Sequence, residues 1–288
     1  MFQLIADSGS TKTDWTLLNL SENEVVSSFK SAGYNPLFWS KEELIKAFQQ
    51  DLYAFPQVVD INDIKKVFFY GAGCSSEERK AKVEQALSAV LPETEITIDT
   101  DLLGAARGLL GKDSGVAAIL GTGANSCLYK EEQIIDKPVS LGYMLSDFGS
   151  GATLGLSFLQ KLLTTQLSME TISHFIDTFN LTTEDILESL YKKKNPNTFC
   201  ASFAPFIIEH HQYDEHLKQM ILDQFHQFIQ YYILPFLSSS NSQVKITGSI
   251  AHHFSPLLLK AFEECQLETP EIIQSPTDGL IQYHLENV

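Results

Sequence analysis

Two stretches of the chain share one grammar. Leu4–Trp15, LIADSGSTKTDW, and Ala118–Tyr129, AILGTGANSCLY, each pass from an apolar run through small residues into a second run with apolar character. Each spells strand, tight turn, strand. Their wide separation predicts a structural duplication in an α/β chain, not a short solenoid repeat.

The surrounding pattern follows the same order twice. The first half predicts strands Phe2–Ala6, Asp14–Asn19 and Glu24–Phe29, then helix Glu42–Phe55, strand Val67–Tyr70, helix Glu77–Val90, strand Glu95–Ile98 and helix Leu102–Leu110. The pattern restarts with strands Val116–Leu120, Ser126–Tyr129 and Gln133–Asp136. From Thr153 the chain reads as mostly helical, with Glu184–Tyr191, Pro205–His211 and Leu217–Leu234 at three- and four-residue apolar spacings. Strand Val244–Thr247, helix Phe254–Cys265, strand Glu271–Ile273 and closing helix Gly279–Leu285 complete it. The one linker-like stretch, Ser238–Gln243, reads as a surface loop, so the halves are expected to pack together about a hinge near residue 112.

Composition narrows the function classes. The 288 residues are 44% hydrophobic, enough for a sizeable core, and carry a net charge of −16. A phosphate-backbone binder needs a basic face, so no nucleic-acid partner is expected. Cys74, Cys127, Cys200 and Cys265 form no Cys-x-x-Cys pattern and read as reduced thiols of a cytoplasmic protein. The first residues carry no basic segment before their apolar run, which predicts no signal peptide. No apolar run approaches the roughly 20 residues that span a bilayer, so no membrane partner is expected.

The small-residue turns point to phosphate chemistry. Backbone N–H groups at such turns cradle anionic oxygens. Gly9, Gly121 and Gly123 would permit close approach, and Ser10, Thr11, Thr13, Thr122 and Ser126 would add hydroxyl donors. No G-x-x-x-x-G-K-[ST] occurs, and GTGANS lacks both the third glycine and the following helix of a dinucleotide fingerprint. Three aspartates flank these turns. Asp7 ends the first strand and reads either as a turn cap or as a Mg²⁺-positioning carboxylate. Asp101 follows a strand and opens a helix, so it reads as an N-cap or as a group at a ligand-binding strand end. Asp147 lies in GYMLSDFGSG and reads as a loop or site residue. His210-His211 and His252-His253 lack metal-ligand spacing, Lys192–Lys194 is a solvated run, and the aromatics of FHQFIQYYILPF read as core.

Taken in order, these segments resemble the N-acetylglucosamine kinase-like members of the BadF/BadG/BcrA/BcrD ATPase family, in the actin, sugar kinase and Hsp70 superfamily. DSGSTKTDW resembles the first phosphate hairpin, LGTGANS the second, and ITGSIAHHF the adenosine segment, with Thr247-Gly248 where a Gly-Gly pair is usual. SAGYNP resembles the sugar-contacting loop, DTDLLGAAR the segment of the general base, and SLGYMLSDFGSG the pattern GY-x-x-GDEGSG. The resemblance implies two duplicated ribonuclease H-like (actin-like ATPase) domains, 1–112 with the closing helix 276–288, and 113–275, with an interdomain cleft for ATP and sugar. It implies an ATP- and Mg²⁺-dependent kinase acting on the 6-hydroxyl of N-acetylglucosamine or a related aminosugar. Asp101 would be the base and Asp7 the metal carboxylate. Gly9, Ser10, Thr11, Lys12, Gly121, Thr122, Gly123, Gly248 and Ser249 would hold the nucleotide, and Asn35, Asn125, Gly142 and Asp147 the sugar. A homodimer stays open, since spacing fixes no oligomeric state. Phe148 stands where the pattern has glutamate, which keeps a non-catalytic sugar or nucleotide sensor as an alternative. A dehydratase-activating ATPase, the family's other activity, would need cluster-binding cysteines.

Overall fold

The alternation of the first hundred residues becomes a five-stranded mixed sheet. The structure, a computed structural model, describes residues 1–54, 59–237 and 243–287. Phe55 of the expected first helix and most of the expected loop at 238–243 lie outside these. The chain divides into two compact units, Met1–Lys112 with Pro276–Val288, and Asp113–Ser275.

In the first unit β1 (Phe2–Ser8), β2 (Lys12–Asn19) and β3 (Glu24–Ala32) form an antiparallel meander. Helix α1 (Lys41–Tyr53), β4 (Ile64–Gly71), α2 (Glu77–Val90), β5 (Glu95–Thr100) and α3 (Asp101–Leu110) follow. The sheet order is β3-β2-β1-β4-β5, with β4 and β5 parallel to β1. Ser40 opens α1 through a capping box with Glu43. Trp15, Tyr34, Phe48 and Phe69 are fully buried and mutually in ring contact beneath the sheet.

A C-terminal helix (Thr277–Glu286) completes this unit against α3. A Cβ on Gly279 would lie 1.9 Å from Gly108 O, and one on Gly108 would lie 2.3 Å from Pro276 O. His284, buried, bonds Gln3 (3.1 Å) and Tyr70 Oη (2.9 Å), and Arg107 donates to the same Oη (2.8 Å). Burial, helped by the Arg107 charge, lowers the His284 pKa to about 4, so the imidazole is neutral. Gly279→Ala should cost about 1–3 kcal/mol, because backbone and not a flexible side chain stands in the way. Calorimetry would show a fall in Tm, and an unchanged Tm would mean that the helices part freely.

The second unit repeats the sheet. β6 (Gly115–Leu120), β7 (Ala124–Lys130), β8 (Gln133–Asp136), β9 (Val244–Thr247) and β10 (Glu271–Ile273) lie in the order β10-β9-β6-β7-β8. β6 takes the central place of β1, with an antiparallel pair on one side and parallel strands on the other. The expected duplication is therefore a duplication of sheet topology. Among the described residues eight helices are inserted around it: α4 (Gly151–Leu163), α5 (Met169–Phe179), α6 (Thr183–Tyr191), α7 (Pro196–Ala201), α8 (Ala204–His210), α9 (Glu215–Phe228), α10 (Ser249–His253) and α11 (Ser255–Glu264). Phe158, Phe175, Phe203 and Phe206 form an aromatic core among them.

The expected helix Leu217–Leu234 is corrected. α9 ends at Phe228 and passes into a π turn, Ile229–Ile233, and a 3₁₀ turn, Leu234–Phe236. Pro235 has no N–H and cannot continue the ladder. Among the described residues no helix is long and apolar enough to cross a membrane.

Candidate functional site

In the first unit the β1–β2 turn is held by an inner hydroxyl chain. Gly9 N–H donates to Lys12 O (2.9 Å), closing the turn around Ser10 and Thr11, both exposed. Beneath it Ser8 and Thr13 share a hydrogen bond (2.7 Å) and Thr13 donates to Ala32 O (2.9 Å). Thr13 is fully buried, so its expected role as a phosphate donor is corrected: the strand register turns it inward. Gly33 closes the turn from below, where a Cβ would lie 2.3 Å from Gly9 O and 2.7 Å from Thr11 N. Sequence reading missed this residue, although it stands two places before the asparagine of SAGYNP.

Asp7 and Asp14 face each other across the β1–β2 register. Like charges directly opposite oppose pairing. Asp14 is neutralised by Lys12 (2.9 Å) and Lys30 (3.5 Å), neither of which forms an ion pair with Asp7. Asp7 is deep among protein atoms but keeps some surface open. Burial, then the charges of Asp101 and Asp14, push its pKa up to about 7 against the weaker pull of Lys12 and a 3.4 Å bond from Thr277 Oγ1.

Asp101 stands at the end of β5 and the start of α3. Its N-cap alternative is overturned. Thr100 is the cap, accepting from Leu103 N–H (3.2 Å), while Asp101 Oδ1 takes the N–H of Leu102 (2.9 Å). Asn35 is nearly buried. Its Nδ2 donates to Ser10 Oγ (3.4 Å) and its Oδ1 accepts from Leu37 N–H (3.0 Å). Thus β1, β5 and the loop after β3 bring Asp7, Asp101, Asn35 and the turn into one unit.

The second unit carries a matching turn. Gly121 N–H donates to Gly123 O (3.0 Å) around Thr122. Gly151 and Ala152 N–H at the start of α4 donate to Gly121 O (2.8 Å) and Thr122 O (3.0 Å), so the turn's carbonyls point into α4. Ser126 is fully buried and donates to Tyr232 O (2.6 Å), which corrects its expected phosphate role. Asn125 Oδ1 accepts from Ser126 N–H (3.0 Å). Gly248 has φ +118°, and a Cβ there would meet Leu120 O at 2.4 Å. Only glycine fits beneath this turn. Ser249 begins the short α10.

Asp147 sits at φ +55°, rare for a residue with a side chain. Tyr232 Oη accepts its N–H (2.9 Å), and Thr153 Oγ1 and Ser150 N–H donate to its carbonyl (3.0 Å each). Its carboxyl lies over the turn, 3.3 Å from where a Gly123 Cβ would be. Burial raises its pKa to about 6, against the N–H of Ala124. Phe148 turns away, packing against the core and edge-on to Tyr231 (5.6 Å). The π turn presents both Tyr231 and Tyr232, a contribution no periodicity announced. Gly142, at φ +75°, is exposed and accepts from Leu145 and Ser146 N–H in a turn before Asp147.

Other candidates stay structural. His210 and His211 ring nitrogens bond to Phe206 O (2.9 Å) and Ile208 O (2.7 Å). All four cysteines are free, and burial raises Cys74 and Cys127 to about 12 and Cys200 to about 11. Among the described residues no group of three or more His, Cys, Asp or Glu could hold a metal.

The family model for BadF/BadG/BcrA/BcrD ATPases matches residues 6–280. The chain belongs to this ATPase family. A solved structure of a proposed N-acetylglucosamine kinase from Porphyromonas gingivalis is similar over 99% of both chains, at 36% identity and a TM-score of 0.92. A ROK family glucokinase from Streptomyces griseus, solved with glucose and AMPPNP, shares the fold at 13% identity and a TM-score of 0.57, over 98% of each chain. A glucosamine kinase of Vibrio cholerae is 26% identical over 195 residues. That match spans 65% of this chain and 64% of the curated relative. The fold is therefore that of the actin-like ATPases and sugar kinases, built on two mixed five-stranded sheets.

Proposed function

We propose that this member of the BadF/BadG/BcrA/BcrD ATPase family is an ATP-dependent aminosugar kinase, transferring the γ-phosphoryl group to the 6-hydroxyl of N-acetylglucosamine or a close relative. The observation that carries the reading is the pairing of two carboxylates, Asp7 and Asp101, with the phosphate turn of the same unit. Asp101 directly follows a parallel strand, at the end where open α/β sheets present ligands. It accepts the hydroxyl proton as the sugar oxygen attacks, a contribution of about 10²–10⁴-fold. The N–H groups around Ser10 and Thr11 and around Thr122 bind phosphate oxygens, with Lys12 beside the first. Gly248 and Ser249 contact the nucleoside. Asn35, Asn125, Gly142 and Asp147 orient the sugar.

The residues also fit Mg²⁺. Asp7 is a partly reachable carboxylate, raised in pKa first by burial and then by acidic neighbours, whose charge a cation would offset. A magnesium site needs one or two carboxylates with phosphates and water, not a protein cage, which agrees with the absence of a larger ligand cluster among the described residues. When bound, Mg²⁺ would neutralise charge on the phosphoryl oxygens.

The sensor reading rested on Phe148. That side chain packs against Tyr231, while Asp147 keeps its carboxyl over the phosphate turn. Asp147→Ala should impair sugar turnover far more than Phe148→Ala, by at least about tenfold in kcat/KM. Equal, small effects in steady-state kinetics would place the sugar elsewhere. The reading as a whole is tested by ADP release over a panel of hexoses and aminosugars with MgATP. N-acetylglucosamine or glucosamine should accelerate release; no acceleration by any sugar would leave the sensor reading in its place.

A further inference from the structure

The sugar loop is short, polar at its root and apolar at its tip, and its conformation rests on few groups. Asn35 O accepts from Phe38 N–H (3.0 Å) and Trp39 N–H (3.2 Å), while Asn35 Oδ1 accepts from Leu37 N–H (3.0 Å). These bonds shape the loop, while Trp39, packed on the unit's core and edge-on to Tyr34 (5.9 Å), and the Asn35–Ser10 bond attach it to the unit. Leu37 and Phe38 at its tip are exposed. Polar anchors for both ends come from α2. Lys82 Nζ donates to Pro36 O (2.7 Å) and Trp39 O (3.3 Å), gripping both ends of the turn. No carboxylate lies within ion-pair distance of Lys82 among the described residues, although the chain carries 36 acidic side chains. Its charge is committed to two carbonyls.

One helical turn earlier, on the same face of α2, Arg79 Nη1 donates to Gly73 O (3.1 Å) and Ser75 Oγ (3.2 Å). Gly73, at φ +82°, lies directly against Asn35, where a Cβ would meet Asn35 Oδ1 at 2.1 Å. The two cations therefore converge on the asparagine from two loops. Asn35 in turn reaches Ser10 of the phosphate turn.

We propose that Lys82, seconded by Arg79, is a positioning residue for the sugar: it holds the Asn35–Trp39 loop, and hence the Asn35 amide, in the geometry that receives the acceptor. This deepens the kinase reading and rests on it. In this role Lys82 acts through the loop carbonyls it holds and not on the reacting atoms. Hydrogen bonds from a charged donor are worth more than neutral ones, and removing the donor leaves two carbonyls to water. Arg can donate to two carbonyls, but from a planar fork of different reach.

The test compares the intact chain with Lys82→Met and Lys82→Arg. Lys82→Met should raise the sugar KM about tenfold and leave the ATP KM within about twofold. In hydrogen exchange without ligand, the amides of Leu37, Phe38 and Trp39 should lose protection. Lys82→Arg should restore part of both. The proposal is overturned by an unchanged sugar KM, or by wild-type exchange at these three amides, in a variant whose Tm shows it folded. If the wild-type protein phosphorylates no sugar, the kinase reading fails separately, and the exchange rates alone decide whether Lys82 holds the loop.

Discussion

Asp101→Asn should lower kcat by at least about 10²-fold while the protein stays folded. The substitution preserves size and the acceptor that takes Leu102 N–H at 2.9 Å. It removes the only thing an amide cannot supply, a lone pair that accepts a proton at neutral pH. The helix does not depend on this carboxylate for its cap, because Thr100 performs that task. A large fall in activity in a folded variant would therefore report chemistry and not local unfolding. The sugar and ATP KM values should change little, since the base acts on the transition state more than on the bound ground state. Full turnover in Asp101→Asn would remove this residue from the mechanism and leave Asp147 as the candidate base.

Asp7→Asn should separate stability from function in opposite directions. Asp7 has its folded pKa raised to about 7 from 3.8, first by burial and then by Asp101 and Asp14. Between these values the folded state holds a proton that the unfolded chain has released. Stability therefore falls as pH rises through this window and is flat above it. At pH 8 the ligand-free wild-type protein carries the whole penalty, which we place at about 1–3 kcal/mol after allowing for the carboxyl's open surface. Ligand-free Asp7→Asn should then melt about 3–6 °C higher than wild type at pH 8. The gap should shrink towards pH 5. With MgATP the order should reverse, since the wild type gains the linked binding energy and the variant loses most of it. Its kcat/KM should fall at least about 10²-fold. Equal melting temperatures at pH 8 would mean that the Asp7 charge is not frustrated, and full activity would remove Asp7 from the metal site.

Much of the fold was legible because its signals are local. Short apolar runs bounded by small residues are readable over a few positions, and both turns, Gly9–Lys12 and Gly121–Gly123, fall where the sequence puts them. The order of strands was legible for the same reason, and two runs of the same order imply a duplicated unit. The carboxylates Asp7, Asp101 and Asp147 were legible as strand-end and loop residues beside those turns.

What the sequence could not decide was direction and partnership. Thr13 and Ser126 have the same hydroxyl chemistry as Thr11 and Thr122, yet register buries the first pair against Ala32 O and Tyr232 O. Asp101 and Thr100 are adjacent potential caps, and only the path of the chain into α3 chose Thr100. Phe148 could have faced a ligand or the core until the π turn supplied Tyr231. Gly33, Gly248 and Lys82 act on residues distant in sequence, so no window around them contains their partners. Composition and periodicity by themselves determined the strands, the two tight turns and most of the longer helices, because those depend on neighbours along the chain, but not where α9 gives way to its π turn. Tertiary structure alone decided which hydroxyls, carboxylates and cations face inward or outward, because that depends on strand register and on backbone approaches closer than a Cβ allows.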